Sequence, residues 1–392
     1  LAEASPLDVL AGLLDVDKGQ LAGYLVEKPK PDPYLALPRP RTVNIFVVVE
    51  AQSELVIRHE GGEDFTEFEV AGYRVPGILN TKLQSAQRRA LLRLLYSHYD
   101  RRRDELVAAI ENALKGWGGD ALPITGAEKV LEKLRKGWRC YMAPKQSPKQ
   151  ASKRGKECTG SKKEEIVEPY CGFCPNCMIY GYAGLEEAGS YNVKSRVEGD
   201  VFYGLCRSSA CVTQRTFNAV DDVTKTTFYT GGESGALYQL SLIEPGTVFV
   251  GKIAARDLSA AELLAVLLAL VHVERIGARV THFGRVKIHI PALVFSSFER
   301  GSGYELAAQA LRRSGGAPLG LEDAVNEVTE YAKRQTLEGQ DLFVAKRSLA
   351  DELRRLDLDV VDAVLEAAWR DGLAFKSSIE LFLRSKQKQQ RR

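Results

Sequence analysis

Three cysteines recur at C-x2-C-x2-C spacing in Cys171-Gly-Phe-Cys174-Pro-Asn-Cys177. Two short turns let three sulfurs face one point, which is what a tetrahedral thiolate site for a soft divalent ion requires. A fourth ligand must close such a site. Cys158, across a loop of twelve residues, is the first candidate, and Cys140 is the second. Clustered thiols in a reducing compartment favour a metal over disulfides. Zinc (Zn2+) is the expected ion, in a structural role, because four protein ligands leave no open coordination position. The same spacing also opens the run that holds iron–sulfur clusters, which is the alternative metal reading. Cys206 and Cys211 sit in strand-like sequence and are expected as buried thiols.

The cysteines adjoin a second chemical signal. The chain of 392 residues carries a formal charge of only +3, yet between Lys133 and Lys163 eleven Lys/Arg stand against one acid, Glu157. That window holds +10 and leaves −7 for the rest. Such a concentration of cations, with Lys153 and Arg154 inside it, suits a polyanion and points to nucleic acid. The alternative is a solvated loop of incidental charge.

Residues for bond-breaking chemistry are sparse. His59, His98, His272, His282 and His289 show no metal-ligand spacing, and no Walker A run, G-x-S-x-G elbow or H-E-x-x-H is present. A ribonuclease using His59, His98 or His282 as acid and base is the enzymatic alternative. Holding a nucleic-acid backbone needs cations and amides instead. Candidates are Lys82, Arg88 and Arg89 on one helix and Arg279, His282 and Arg285 on a glycine-punctuated loop. Lys225 stands close to Phe228 and Tyr229, where a ring could stack on a base.

These residues need a frame. Ser259 and Glu262 have the spacing of a capping box. They open an apolar helix that leads through Gly277 and Gly284 to the alternating strand Val286–Ile290. Thr42–Glu50 predicts a strand, continued or paired by Leu55–His59; Lys82–His98 and Asp104–Lys115 predict helices. Ala236–Ile243 and Thr247–Ile253, joined by Glu244-Pro245-Gly246, predict a hairpin. Helices are expected over 7–26, 321–336, 349–356 and 360–373, and a disordered basic tail after Glu380. The order of strand, helix, strands, helix, strand predicts an α+β fold: a modified ferredoxin-like or RNA-recognition core (βαββαβ) with a large zinc-binding insertion and a helical C-terminal region. The expected organisation is an N-terminal helix and proline-rich connector (1–41) and the first half of the core (42–115). The basic insertion (116–189), the second half (190–300) and the helical region with its tail (301–392) follow. The hydrophobic share of 45% supports a sizeable core, while no apolar run reaches the ~20 residues that span a bilayer. Asp8, Asp15 and Asp17 interrupt the first leucines, unlike a secretory leader, so a soluble, cytoplasmic protein without a membrane partner is expected.

Four stretches resemble a known family. LLAVLLALVHVERIGARVTHFGRVKIHI (Leu263–Ile290) resembles the last helix, glycine loop and strand of the repeat-associated RAMP proteins of CRISPR systems. VPGILNTKLQSAQRRALLR (Val75–Arg93) looks like their loop into the first helix, with Lys82 at the position of the usual lysine. CGFCPNCMIYGYA (Cys171–Ala183) and LYQLSLIEPGTVFVGKI (Leu237–Ile253) are similar to the cysteine motif and hairpin of the guide-RNA-binding backbone subunit of subtype I-D. The resemblance implies a non-enzymatic subunit of a Cascade-type surveillance complex. Its partners would be single-stranded CRISPR guide RNA, copies of itself along that RNA and the other subunits, with target DNA as a further candidate partner. A thumb that kinks the guide would fall near Thr224–Gly232. Asp64 occupies an early loop comparable to that of RNA-cutting relatives, although subtype I-D backbones are not expected to cut. The other readings are a RAMP-type endoribonuclease that processes repeat RNA, and a zinc-bearing RNA-binding protein of translation or RNA maturation.

Overall fold

The computed structural model describes residues 4–59, 65–117, 127–141, 170–183, 191–218 and 237–390. Its strands are β1 (Thr42–Ala51), β2 (Glu67–Val70), β3 (Tyr73–Ile78), β4 (Val197–Gly199), β5 (Phe202–Gly204), β6 (Val212–Asn218), β7 (Leu237–Ile243), β8 (Val248–Arg256), β9 (Val286–Ser296) and β10 (Leu342–Ala345). The helices are α1 (Pro6–Leu14), α2 (Lys18–Ala22), α3 (Asn80–Gly116), α4 (Ala127–Lys136), α5 (Pro175–Tyr180), α6 (Ser208–Cys211), α7 (Ala260–Val271), α8 (Gly303–Ser314), α9 (Leu321–Gln335), α10 (Leu349–Arg354) and α11 (Leu358–Gln390).

Every position of β1 except Glu50 is buried. A strand apolar on both faces must lie inside a sheet that is covered on both sides. β1 accordingly runs between β9 and β8, antiparallel to each, in a sheet of order β10-β9-β1-β8-β5-β3-β2, with β4 also paired to β8. Helix α7 crosses from β8 to β9 over the intervening β1. One face, with Phe46, Val48, Val250 and Val294, packs on Leu306, Leu311, Val328 and Tyr331 of α8 and α9. α7 is buried on every side and also packs on α1 and α10, as a helix apolar all round must. Its capping box forms as the sequence predicts: Ser259 Oγ accepts from the Glu262 N–H, and the Glu262 carboxylate accepts from the Ser259 N–H at 3.0 Å.

The chain divides into two units. The first comprises Leu1–Glu27, Pro38–Leu94 and Arg196–Ala367, and contains the large sheet. The second comprises Lys28–Leu37, Leu95–Ser195 and Ala368–Arg392. Helix α3 is broken at Arg102 (φ −127°, ψ 33°), between the two helices predicted there.

Several expectations are corrected. Ala236–Ile243 and Thr247–Ile253 do not form a hairpin: the Pro245-Gly246 turn joins them, but β7 pairs with β6 in a separate two-stranded arm while β8 pairs with β1. The long apolar β8 is taken up by the central sheet, leaving β7 to the shorter arm. Leu55–His59 is not a strand; Leu55 makes only a bridge to Ile243. Cys206 and Cys211 are not free thiols but a disulfide, because the single turn of α6 brings their Cα atoms to 6.4 Å. The chain after Glu380 continues α11 to Gln390, in keeping with the high helix propensity of Arg, Lys and Gln. No helix among the described residues is long and apolar enough to cross a membrane.

Candidate functional site

The second unit gathers four thiols. Cys174 is the N-cap of α5 with Pro175 at its first position, so Cys174 and Cys177 stand one helical turn apart. Cys171 folds back on them and accepts a hydrogen bond at Sγ from the Cys174 N–H at 3.3 Å. The fourth sulfur belongs to Cys140, which follows α4. Its place is fixed by two tyrosines of α3: the Cys140 N–H donates to Tyr96 Oη at 2.9 Å, and the Trp138 N–H donates to Tyr99 Oη at 3.1 Å. Trp138 packs in turn on Tyr96, Tyr99 and Trp369.

The four ligand atoms lie within 4.8 Å of one another. Cys140 Sγ is 3.6 Å from Cys177 Sγ, and Cys171 Sγ is 3.9 Å from it. Zinc–thiolate bonds of ~2.3 Å in a regular tetrahedron put the sulfurs about 3.8 Å apart. The four residues therefore fit one tetrahedral ion. A cluster that interposes several irons and sulfides would hold its thiolates farther apart. Cys140, Cys174 and Cys177 are buried, and Cys171 is partly exposed. Burial would raise the Cys171 thiol, but hydrogen bonds from Cys140, Cys174 and Cys177 override it and draw Cys171 well below a free thiol. Burial and the same neighbours push Cys174 well up, and the thiols of Cys140 and Cys171, with burial behind them, do so for Cys177. A divalent ion that binds here must displace the thiol protons, so metal uptake releases protons. Cys158, Lys153 and Arg154 lie outside the described residues.

The first unit carries the basic loop between α7 and β9. Its path is fixed by backbone: the Ala278 N–H donates to the Val56 carbonyl at 2.8 Å, the Gly284 N–H to Glu54 at 2.8 Å, and the Ile276 N–H to Gly284 at 2.9 Å. Arg275, although exposed, is engaged by the loop itself: its guanidinium donates to the carbonyls of Val280 and Phe283 at 3.0 and 2.8 Å. Two glycines permit this closeness. A Cβ on Gly277 (φ +91°) would meet the Val56 carbonyl oxygen at 2.4 Å, and one on Gly284 (φ +89°) would meet that of Ile276 at 2.3 Å. Gly284→Ala is therefore expected to cost on the order of 1–3 kcal/mol. Thermal unfolding checks this, and an unchanged melting temperature would contradict the packing.

Arg279, His282 and Arg285 remain exposed on the loop. Arg279 adopts a left-handed conformation (φ 51°), and its guanidinium lies 4.6 Å from the centroid of the Tyr238 ring. Lys82 and Arg89 are exposed on α3, Arg88 is partly buried, and Arg89 donates to Ser85 Oγ. Arg93 of the same helix pairs with Glu274 at 3.4 Å, just before the loop. At ~1.5 Å per residue, Lys82 lies about 16 Å back along the axis from Arg93. Lys82 is therefore about three helical turns from the Arg93–Glu274 pair that precedes the loop. Lys225, Phe228, Asp64 and the Thr224–Gly232 stretch lie outside the described residues. The histidines are on separate elements: His98 is buried on α3, His272 caps α7, and His289 on β9 meets Glu50 at 3.0 Å, with burial holding it below its ordinary range despite that carboxylate.

Three comparisons bear on these features. The family model described as Csc2 Crispr matches residues 125–368. The crystal structure of Thermofilum pendens Csc2 superposes with a TM-score of 0.64 at 22% identity, covering 96% of this chain and 98% of that one. A chain of a CRISPR RNA-guided surveillance complex, pre-nicking, matches at a TM-score of 0.43 and 14% identity, over 83% of this chain and 100% of that one. No curated protein sequence matches the chain.

Proposed function

The chain belongs to the Csc2 family of CRISPR proteins, and from that membership we propose that it is a non-catalytic, single-stranded RNA-binding backbone subunit that polymerises along the guide RNA of a type I-D surveillance complex. The observation that carries this reading is the rigid loop that presents Arg279, His282 and Arg285 to solvent. Cations held on a fixed backbone grip phosphates without reading sequence. The strand order β9-β1-β8-β5, with α3 and α7 as crossovers, supports a ferredoxin-like βαββαβ core beneath the loop. Zn2+ is the proposed ion at Cys140, Cys171, Cys174 and Cys177, where it would order the unit that holds them and leave no position for substrate. Lys82, Arg88 and Arg89, with Lys153, Arg154, Lys225 and Phe228, are proposed as further RNA contacts.

Replacing both Arg279 and Arg285 by Gln is expected to weaken binding uniformly across RNA sequences by roughly tenfold, and to lower the slope of log affinity against log salt by about 1.4. Filter binding over a salt series measures both, and an unchanged slope removes the loop from the interface. Electron microscopy of the protein with a long unstructured RNA tests polymerisation. Periodic filaments are expected, and single bound particles at saturation would reject it.

A further inference from the structure

The two-stranded arm and the basic loop share a group of rings that phosphate binding does not use. Phe217 on β6 and Tyr238 on β7 are register partners, and their rings stack at 5.5 Å with an interplanar angle of 15°. Phe283 of the loop meets the edge of Phe217 at 5.9 Å. Behind them Val56, Leu240 and Leu242 form a small buried cluster on which Phe217 and Phe283 rest. Tyr238 is the outer end of the Leu242-Leu240-Tyr238 stripe and is 38% exposed. It is thus a rigidly backed ring with a guanidinium laid over it.

The backbone at Arg279 adds to this. A non-glycine residue at positive φ costs on the order of 1–2 kcal/mol, and such a conformation persists only where its surroundings enforce it. Here the His282 and Phe283 N–H groups both donate to the Arg279 carbonyl, at 3.0 and 3.1 Å. The enforced turn holds the guanidinium on Tyr238 while the rest of the loop presents cations to solvent.

We propose that the Arg279 guanidinium, carried on the Tyr238 ring that Phe217 backs, forms a stacking seat for one unpaired nucleobase of the bound RNA. The inference rests on the RNA-binding reading and adds a base contact to the phosphate contacts. Aromatic and guanidinium planes take any base, because every base has a π face, so the seat adds affinity without sequence preference.

The test compares Tyr238→Leu, which keeps an apolar side chain on the arm, with Tyr238→Phe and Tyr238→Trp, which keep the ring. Two probes are used: oligouridine, and an abasic ribose-phosphate strand of equal length. Tyr238→Leu is expected to lose on the order of 5- to 100-fold in affinity for oligouridine with its salt slope unchanged, and to bind the abasic strand like the wild type. Phe and Trp should restore the oligouridine affinity. Equal losses on both strands would show that the ring merely supports the loop, and no loss on either would remove it from the interface; each overturns the seat. Loss in the Phe variant would assign the effect to the hydroxyl and overturn it as well. Lost filaments with unchanged RNA affinity would place Tyr238 between protein copies instead. If the wild type binds neither strand, the RNA reading itself fails and the seat goes with it; binding of both by the wild type isolates the seat as the quantity under test.

Discussion

Cys174→Ser is expected to abolish stoichiometric zinc binding and to unfold the unit built from Lys28–Leu37, Leu95–Ser195 and Ala368–Arg392. Structural zinc contributes ~10–16 kcal/mol of apparent folding free energy in small zinc-bound peptides, while whole domains are stable by only ~5–15 kcal/mol. Loss of even part of that term exceeds what the aromatic packing of Trp138, Phe173 and Trp369 can offset. The chain offers a selective reporter. All three tryptophans, Trp117, Trp138 and Trp369, belong to this unit, and the latter two are fully buried. Chelation or Cys174→Ser should therefore shift tryptophan emission to the red while the sheet signal in circular dichroism persists. Full zinc content by elemental analysis, with unshifted emission, would sink the assignment. Cys140→Ser should behave like Cys174→Ser, and Cys158→Ser should retain one zinc per chain; the reverse result would return the fourth position to Cys158.

The second large effect is expected in the first unit. Arg196 donates to both oxygens of Glu262, one bond measuring 2.9 Å and the other 2.5 Å, and its side chain is 9% exposed against 0% for Glu262. Glu262 also accepts from the Ser259 N–H, so one carboxylate caps α7 and neutralises a buried guanidinium. Arg196→Met strands that carboxylate away from water and should cost about 3–5 kcal/mol, whereas Arg196→Met with Glu262→Met together should cost far less. Chemical denaturation of the two single variants and the double variant measures the coupling. Simple addition of the two single losses would show that the pair is not acting as one buried group.

Much of the first unit could be read in advance because its apolar residues are contiguous. Thr42–Ala51, Val248–Arg256 and Ala260–Val271 are buried nearly throughout, and such runs need no partner to be recognised. The β2–β3 hairpin escaped prediction because Pro76 and Gly77 stand within β3 and its outer residues are exposed. α8 carries Arg312 and Arg313 in its last turn and was hidden by an otherwise short apolar stripe, and β10 is only four residues long. Which strands pair is a long-range matter, so the Pro245-Gly246 turn suggested a hairpin that the competition between sheets overrides. At the metal centre three ligands were legible from spacing alone. Cys140 was not ranked first because the short loop from Cys158 is entropically easier to close; what brings Cys140 into place is the pair of hydroxyls on Tyr96 and Tyr99, which no spacing rule encodes. The stack of Arg279 on Tyr238 depends likewise on a left-handed turn at a residue that gives no sign of it.

The metal-bearing unit is assembled from three separated stretches, and the last of them begins at Ala368. During synthesis Cys177 therefore leaves the ribosome roughly 190 residues before Trp369, a delay of about 10–40 s at ~5–20 residues per second. For that interval the four thiols exist without the indole that packs on Trp138 and Phe173. Metal capture and the closing of the aromatic core are thereby separated in time: the nascent thiols can meet an ion early, and α11 adds its indole to the unit only after the intervening sheet and helices of the first unit have been made.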